Sequence, residues 1–290
     1  LRGGQVGLLY NKPHMLKRYK KTLYLELGYK QPSIDAKHAA TRAIKVIEAA
    51  QAHDVGWMLY LLQHSHILFL AGLRAQSPYL SFSPLMTPAR LRRFRFFLAE
   101  HNIELVGNEL SFEDRARTYS FVHPRLVSRL PETYTFLKQP DFTWHAPSGY
   151  TTQAMVEWCY GVERYLASAM ESDSLPKKWL FDWWAPHNIR FGMLLGYPGP
   201  AISSFVWARA KEKHSGHEEH LSYLSVQQKD ELLGTEVGFE VANPASKHRE
   251  VHTTMAVWEE VIRLVVHYFE SKELGTLTAF TKEYKALKKG

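Results

Sequence analysis

The chain has one cysteine in 290 residues, no long apolar run and none of the usual phosphate-loop glycine patterns. Each shortage closes off a class of protein. Cys159 has no partner for an internal disulfide and cannot build a zinc site on several thiolates, and so few thiols fit a reducing compartment such as the cytoplasm. It falls on the apolar face of an expected helix, where a small buried hydrophobe sits. No stretch reaches the roughly 18 to 20 consecutive apolar residues of a membrane span. The richest, Gly56 to Leu73, is broken by Gln63, His64, Ser65 and His66, so no membrane partner is expected. No Gly-x-Gly-x-x-Gly follows a strand, and neither Gly-x-x-x-x-Gly-Lys-Ser/Thr nor a Gly-x-Ser-x-Gly elbow occurs, which argues against the standard nucleotide loops and serine-hydrolase turns. The first residues, Leu1-Arg2-Gly3-Gly4, hold neither a Met nor a secretory pattern and read as a trimmed terminus.

What is present is ordinary for a folded protein: 45% apolar and 22% charged residues, with 17 Gly and 14 Pro, so collagen-like and low-complexity classes are excluded. The length suits one large domain or two modest ones. The net charge is +7 with fifteen histidines counted neutral. It is unevenly spread. Residues 1–95 carry 15 Lys plus Arg against 4 Asp plus Glu, a balance of +11, whereas the other 195 carry 21 against 25, a balance of −4. Any partner that reads charge is expected on the first part.

Local patterns predict the elements. Ala36, Ala39, Ala40, Ala43, Ile44, Ile47 and Ala50 keep helical spacing after Ser33 and Asp35, both good N-caps. The apolar run Trp57 to Gln63 reads as a buried strand, although a buried helix has the same pattern. A helix over 64–75, a strand over 79–83, a helix opened by Thr87-Pro88 and running to His101, and a strand over 103–106 follow. Alternating strands and helices with short connections predict parallel βαβ units. The expected class is therefore helix-rich α/β, with a small, mainly parallel sheet in the first half and a mostly helical second half. Asn108 to Arg129 reads as a hairpin followed by a helix. Two prolines and a glycine in 139–149 suggest a boundary between a basic domain at 1–140 and a helix-rich domain at 150–290, unless the two pack as one. Beyond it, helices are expected at 151–172, 187–195, 200–213, 244–271 and 276–287, and strands at 220–227 and 236–241. The helix from Asn243-Pro244 carries the stripe Val251, Met255, Trp258, Ile262, Val265 and Phe269.

Several residue sets can carry chemistry. The stretch 181–207 brings together Asp182, Trp183, Trp184, His187, Arg190 and Tyr197, an acid, an imidazole, a cation and aromatics such as a ligand pocket needs. An aromatic helix-turn-helix corner gives the same string, with Gly196 at the position after a helix where positive φ is required. His64 lies at the end of the expected strand 57–63, where open parallel sheets bind ligands, and its ring titrates near neutrality. His248 and His252, four apart on a helix, can grip a divalent metal, although Glu250 between them matches no known zinc helix and is expected to point away. His214, His217 and His220 have imidazoles suited to a metal but sit in a loop-like context. Lys17, Arg18, Lys20 and Lys21, with Arg92 and Arg93 flanking Phe96, can form a basic surface with an exposed ring, suited to phosphate backbones and bases.

Three functions fit. One is an enzyme acting on a small anionic substrate between the halves, with Asp182, His187 or His64 as acid-base groups, Arg190 orienting the anion and Trp183, Trp184 and Tyr197 lining the pocket. Another is a nucleic-acid-associated protein using the amino-terminal basic surface. The third is a non-catalytic interaction module whose aromatics are all core or interface. Substrate, reaction and oligomeric state are left open.

Overall fold

A computed structural model describes residues 28–62, 64–78, 80–81, 87–108, 118–135, 184–206, 221–226, 237–242 and 248–287. Asp35 opens helix α1 (Ala36–His53) by accepting hydrogen bonds from the amides of Lys37 and His38, two donors that have no partner within the helix. The buried face is Ala39, Ala40, Ala43, Ile47 and Ala50. These mostly small side chains let α1 pack along the long helix α8 (Arg249–Leu287). The stripe on α8 is buried as its spacing predicts, at Val251, Trp258, Ile262, Val265 and Phe269, and the helix continues without a break through the gap expected near 272–275.

Asp54 separates α1 from α2 (Val55–Leu61), accepting from the Gly56 amide and taking a two-pronged ion pair from Arg90, Nε at 2.8 Å and Nη2 at 2.5 Å. The segment expected as a strand over 57–63 is therefore largely helix. Its buried residues Trp57, Met58, Leu61 and Leu62 recur at helical spacing, and the aspartate cap starts the helix just before them. Helix α3 (His64–Leu70) follows.

The sheet is antiparallel, which corrects the expectation of a mainly parallel one. Its order is β1 (Leu80–Ser81), β3 (Thr118–Val122), β2 (Glu104–Asn108). Helix α4 (Pro88–Glu100), with Thr87 as N-cap, does connect β1 to β2. Strand β3 occupies the place between them, pairing Leu80 with Tyr119 on one side and Glu104 through Asn108 with Val122 through Thr118 on the other. The helix at Val55–Leu61 also takes the place of the first strand that a βαβ series would need.

Helix α5 (Pro124–Thr133) leaves β3 directly. Helix α6 (Trp184–Leu194) and the helical residues 199–206, here α7, meet at a turn. Strands β4 (Leu221–Val226) and β5 (Val237–Ala242) form an antiparallel pair where both strands are expected. One hydrophobic core joins α1, α2, α3, α4 and β3 to Ala201 of α7 and the stripe of α8. Its aromatic part, Trp57, Phe94, Phe97 and Phe121, has ring centroids 5.1 to 6.2 Å apart along the contacts Trp57–Phe94, Trp57–Phe97, Phe94–Phe121 and Phe94–Phe97. Each such buried ring contributes roughly 1.5 to 3 kcal/mol relative to exposure. Among the described residues no helix is long and apolar enough to cross a membrane.

Candidate functional site: a cleft lined by arginines

Two helix ends abut. Helix α3 stops at Gly72, φ +76°, with Leu73 N donating to Leu68 O (3.0 Å) and Gly72 N to Phe69 O (2.9 Å). Helix α6 stops at Gly196, φ +72°, with Tyr197 N donating to Gly192 O (2.9 Å) and Gly196 N to Met193 O (3.0 Å). Both are Schellman endings, in which glycine supplies the left-handed residue and the last carbonyls find donors. The sequences are alike, Leu-Ala-Gly-Leu-Arg over 70–74 and Leu-Leu-Gly-Tyr-Pro over 194–198. The chain after α3 then runs against the end of α6, with Ala75 N and Gln76 N both donating to Leu194 O, and continues beside β3, where Ser77 N reaches Phe121 O and His123 N reaches Ala75 O. Arg74 and Tyr197, the residues that follow the two turns, arrive at the same place. The Arg74 guanidinium carbon is 4.5 Å from the Trp258 ring centroid and 5.9 Å from that of Tyr197. Arg74 is only 2% exposed, so this cation–π contact acts away from bulk water, where it is strongest.

A cleft of about 590 Å³ opens beside this junction. Arg42 of α1, Arg74, and Arg125 and Arg129 of α5 line it, with His38, His123, Tyr29, Tyr134 and Trp258. Its lining carboxylates are Asp35 and Glu132, and each is engaged: Asp35 with His38 at 2.7 Å, Glu132 with Arg129 at 3.1 Å. Arg42 uses Nε and Nη2 to hold Ala71 O at 3.2 and 2.7 Å, a cation at the carboxyl end of α3. Helix α5 begins at the cleft with the positive end of its dipole, and its first turn carries Arg125 and no carboxylate. The surroundings are thus biased toward negative ligands.

Three groups in or near the cleft are held neutral. Burial, followed by the charges of Arg125 and Arg42, lowers the pKa of His123, with its own backbone acting in the opposite sense. Burial pushes His66 down to about 4, with Arg74 contributing in the same direction. The phenol of Tyr134 is raised well above its ordinary value by burial and by Tyr29, and its Oη donates to Tyr197 O at 2.5 Å. That bond ties the far end of α5 to the turn after α6.

The expected residues fall as follows. Tyr197 packs against Arg74 and Trp258 beside the cleft. Arg190 is buried on α6, 7% exposed, and does not line the cleft. Asp182 and Trp183, and the side chains of Trp184, His187 and His64, lie outside the described residues, although Trp184 and His187 are on α6 and His64 opens α3. His248 and His252 are exposed, and Glu250, expected to point away, brings Oε2 to 3.8 Å from His248 Nδ1. His214, His217 and His220 are outside the described residues, as are Lys17, Arg18, Lys20 and Lys21. Among the described residues no group of three or more His, Cys, Asp and Glu side chains is placed to hold a metal ion. Arg92, Arg93 and Phe96 are exposed on α4. Sequence reading missed Arg42, Arg74, His123, Arg125, Arg129 and Trp258 as a set. The signal within reach was the pair of helix-ending glycines, each followed within two residues by a cleft-side group, and the Arg125, Arg129 spacing that puts both on one side of a helix.

Comparison with protein-family models, with curated proteins and with solved structures finds no match to this chain.

Proposed function

We propose that the protein binds a small anionic ligand or substrate in the cleft between α1, α5 and the α3 and α6 ends. The observation that carries this reading is the convergence of Arg42, Arg74 and Arg125 on one cavity of about 590 Å³ whose lining carboxylates are already engaged, Glu132 by Arg129 and Asp35 by His38. The volume lies in the range of small-molecule sites. Guanidiniums offer forked donors matched to phosphate and carboxylate oxygens. Met193, Gly196 and Tyr197 are the part of the 181–207 stretch that serves this site. The test is calorimetric titration with phosphate, sulfate, phosphate esters and dicarboxylates. Arg74→Met or Arg125→Glu is expected to weaken the best of them at least tenfold, the loss of one charge-assisted contact. If none of these anions binds or raises the melting temperature, the reading fails.

A second surface has one observation in its favour. Phe96 is 74% exposed on α4, among exposed Arg92, Arg93 and Arg95. An open ring flanked by guanidiniums suits single-stranded nucleic acid, by stacking and phosphate contact. Binding should weaken with salt and with Arg92→Glu plus Arg93→Glu; fluorescence anisotropy that ignores both would remove this reading.

A further inference from the structure

The cleft has two unlike ends. Segment 28–35 closes one of them. It is tied to the carboxyl end of α5 by Lys30 N donating to Thr133 O at 2.8 Å and Thr135 N to Gly28 O at 3.3 Å, and to α8 by Gln31 Nε2 donating to Thr254 Oγ1 at 3.4 Å. It then opens α1 at Asp35. The turn after α3 closes the other end. Arg42, about two helical turns along α1 from Asp35, holds Ala71 O there, and His123 N donates to Ala75 O immediately before α5 begins. Helix α1 thus runs from segment 28–35 toward the turn, and α5 runs back. From Arg125 in the first turn of α5 to Tyr134 at its carboxyl cap the rise is about 13 Å. Because Arg125, Leu126, Leu130, Thr133 and Tyr134 all line the cleft, it extends over that whole length.

Charge and rings are divided between these ends. At the α3 turn stand Arg42 and Arg125, with the positive end of the α5 dipole. Both lining carboxylates are at the opposite end, Asp35 at the start of α1 and Glu132 in the last turn of α5. Arg42 keeps Nη1 for a ligand, since Nε and Nη2 hold Ala71 O. Away from this cationic end the lining is aromatic. Tyr29 packs on Tyr134 with ring centroids 5.5 Å apart, the Tyr134 hydroxyl donates to Tyr197 O, and the Tyr197 ring lies 6.1 Å from that of Trp258. Ile34 and Val257 add apolar lining from segment 28–35 and α8. Arg74 bridges the two ends, its backbone in the α3 turn and its guanidinium over Trp258. A bare inorganic anion would use one end and leave the apolar wall in water.

We propose that the ligand lies lengthwise as an elongated acid, its oxyanion held by Arg42 Nη1 and Arg125 and an aromatic ring, carried on a flexible linker, packed beside Tyr29 at the far end. This rests on the anion reading given above and assigns the two ends of the molecule that fills it. A forked donor suits the oxyanion, and burial of a ring against tyrosine and aliphatic side chains supplies the remaining affinity.

Calorimetry on the full chain with hexanoate, phenylacetate and ω-phenylhexanoate separates head group, ring and reach. ω-Phenylhexanoate should bind at least tenfold tighter than hexanoate, which lacks the ring, and at least tenfold tighter than phenylacetate, whose ring stops short of Tyr29. Its uncharged methyl ester should bind at least tenfold more weakly than the acid. Arg42→Met combined with Arg125→Met should weaken hexanoate and ω-phenylhexanoate by the same factor, whereas Tyr29→Ala should weaken only ω-phenylhexanoate. If Tyr29→Ala does not fold, intermolecular NOEs in the wild-type protein give the placement directly: phenyl protons to the Tyr29 ring, and the methylene beside the carboxylate to the Arg125 side chain. A gain below tenfold over either hexanoate or phenylacetate, phenyl NOEs to Arg125, or a Tyr29→Ala variant that weakens both acids alike overturns the lengthwise placement; phosphate or sulfate binding then leaves the anion site standing. An ester as tight as the acid overturns the role of Arg42 and Arg125. If neither these acids nor phosphate and sulfate bind, the anion reading fails and this proposal with it.

Discussion

A Cβ on Gly196 would stand 2.2 Å from the backbone oxygen of Leu73, the residue before Arg74. The two helix ends can meet only because Gly196 has no side chain. Gly72 has almost the same φ, but its nearest neighbour is Arg42 Nη2 at 3.4 Å, the movable tip of a side chain. The two glycines therefore separate two costs. Gly72→Ala is expected to lose about 1 kcal/mol, the conformational cost of positive φ. Gly196→Ala adds a clash with backbone and is expected to lose about 2 to 4 kcal/mol, along with anion binding, since Leu73 must move and Arg74 with it. Urea unfolding of both variants measures the difference; equal losses would mean that the contact is not needed.

Asp54 has two tasks, and they can be taken apart. Its carboxylate accepts from the Gly56 amide and pairs with both prongs of Arg90, with side-chain exposures of 18% and 33% for the aspartate and arginine. A half-sheltered, bidentate pair is worth more than a surface one. In a double-mutant cycle of Asp54→Asn and Arg90→Met, a coupling of about 1 to 3 kcal/mol is expected. The Asn should retain most of the cap to α2 and so cost less than Asp54→Ala. Coupling near zero would reduce the bridge to an ordinary surface contact.

Tyr134 is 1% exposed and its hydroxyl is bonded to Tyr197 O. Tyr134→Phe leaves a sheltered carbonyl without that donor, so a loss of about 1 to 3 kcal/mol is expected. The affected carbonyl belongs to the residue that flanks Arg74. Anion affinity should accordingly fall in this variant although Tyr134 keeps its ring. A variant as stable and as tight-binding as the wild type would show that the bond contributes nothing.

What could be read in the chain was local. Asp35 and Thr87-Pro88 announce helix starts because capping depends on residues two or three apart. The stripe from Val251 to Phe269 shows its buried face because the helical period repeats along it. Gly196 was legible as a helix end; that Leu73 stands behind it was not. The apolar run at 57–63 fits strand and helix equally, and the cap at Asp54 decided between them. The sheet expectation failed for a nonlocal reason, since β3 enters between β1 and β2 from thirty-odd residues downstream of β1. The cleft was hidden in the same way: Arg42, Arg74, Arg125 and Arg129 become one charged lining only when α1, α5 and the α3 end are brought together.

His66 gives the fold a pH dependence whose sign can be worked out. The ring is fully buried between Tyr60 and Phe121, its Nδ1 lies 2.7 Å from Tyr60 O, and Nε2 has no hydrogen-bond partner. The neutral ring with hydrogen on Nδ1 satisfies Tyr60 O, whereas protonation would place a buried N–H⁺ at Nε2 with nothing to receive it. Burial, aided by the charge of Arg74 and opposed by Tyr60 O, lowers the pKa from 6.5 to about 4. The unfolded chain thus binds a proton that the folded chain refuses between those two values. Stability contributed by this residue is complete above pH 6.5, falls as the pH drops toward 4, and changes no further below it; the whole swing is on the order of 3 kcal/mol. His101 and His123 are shifted the same way and add to the slope. His66→Asn keeps an amide donor for Tyr60 O and does not titrate. It should be less stable than the wild type at pH 7, yet lose less on going to pH 4.5, as read from urea midpoints. A variant that loses as much as the wild type over that interval would place the acid sensitivity elsewhere.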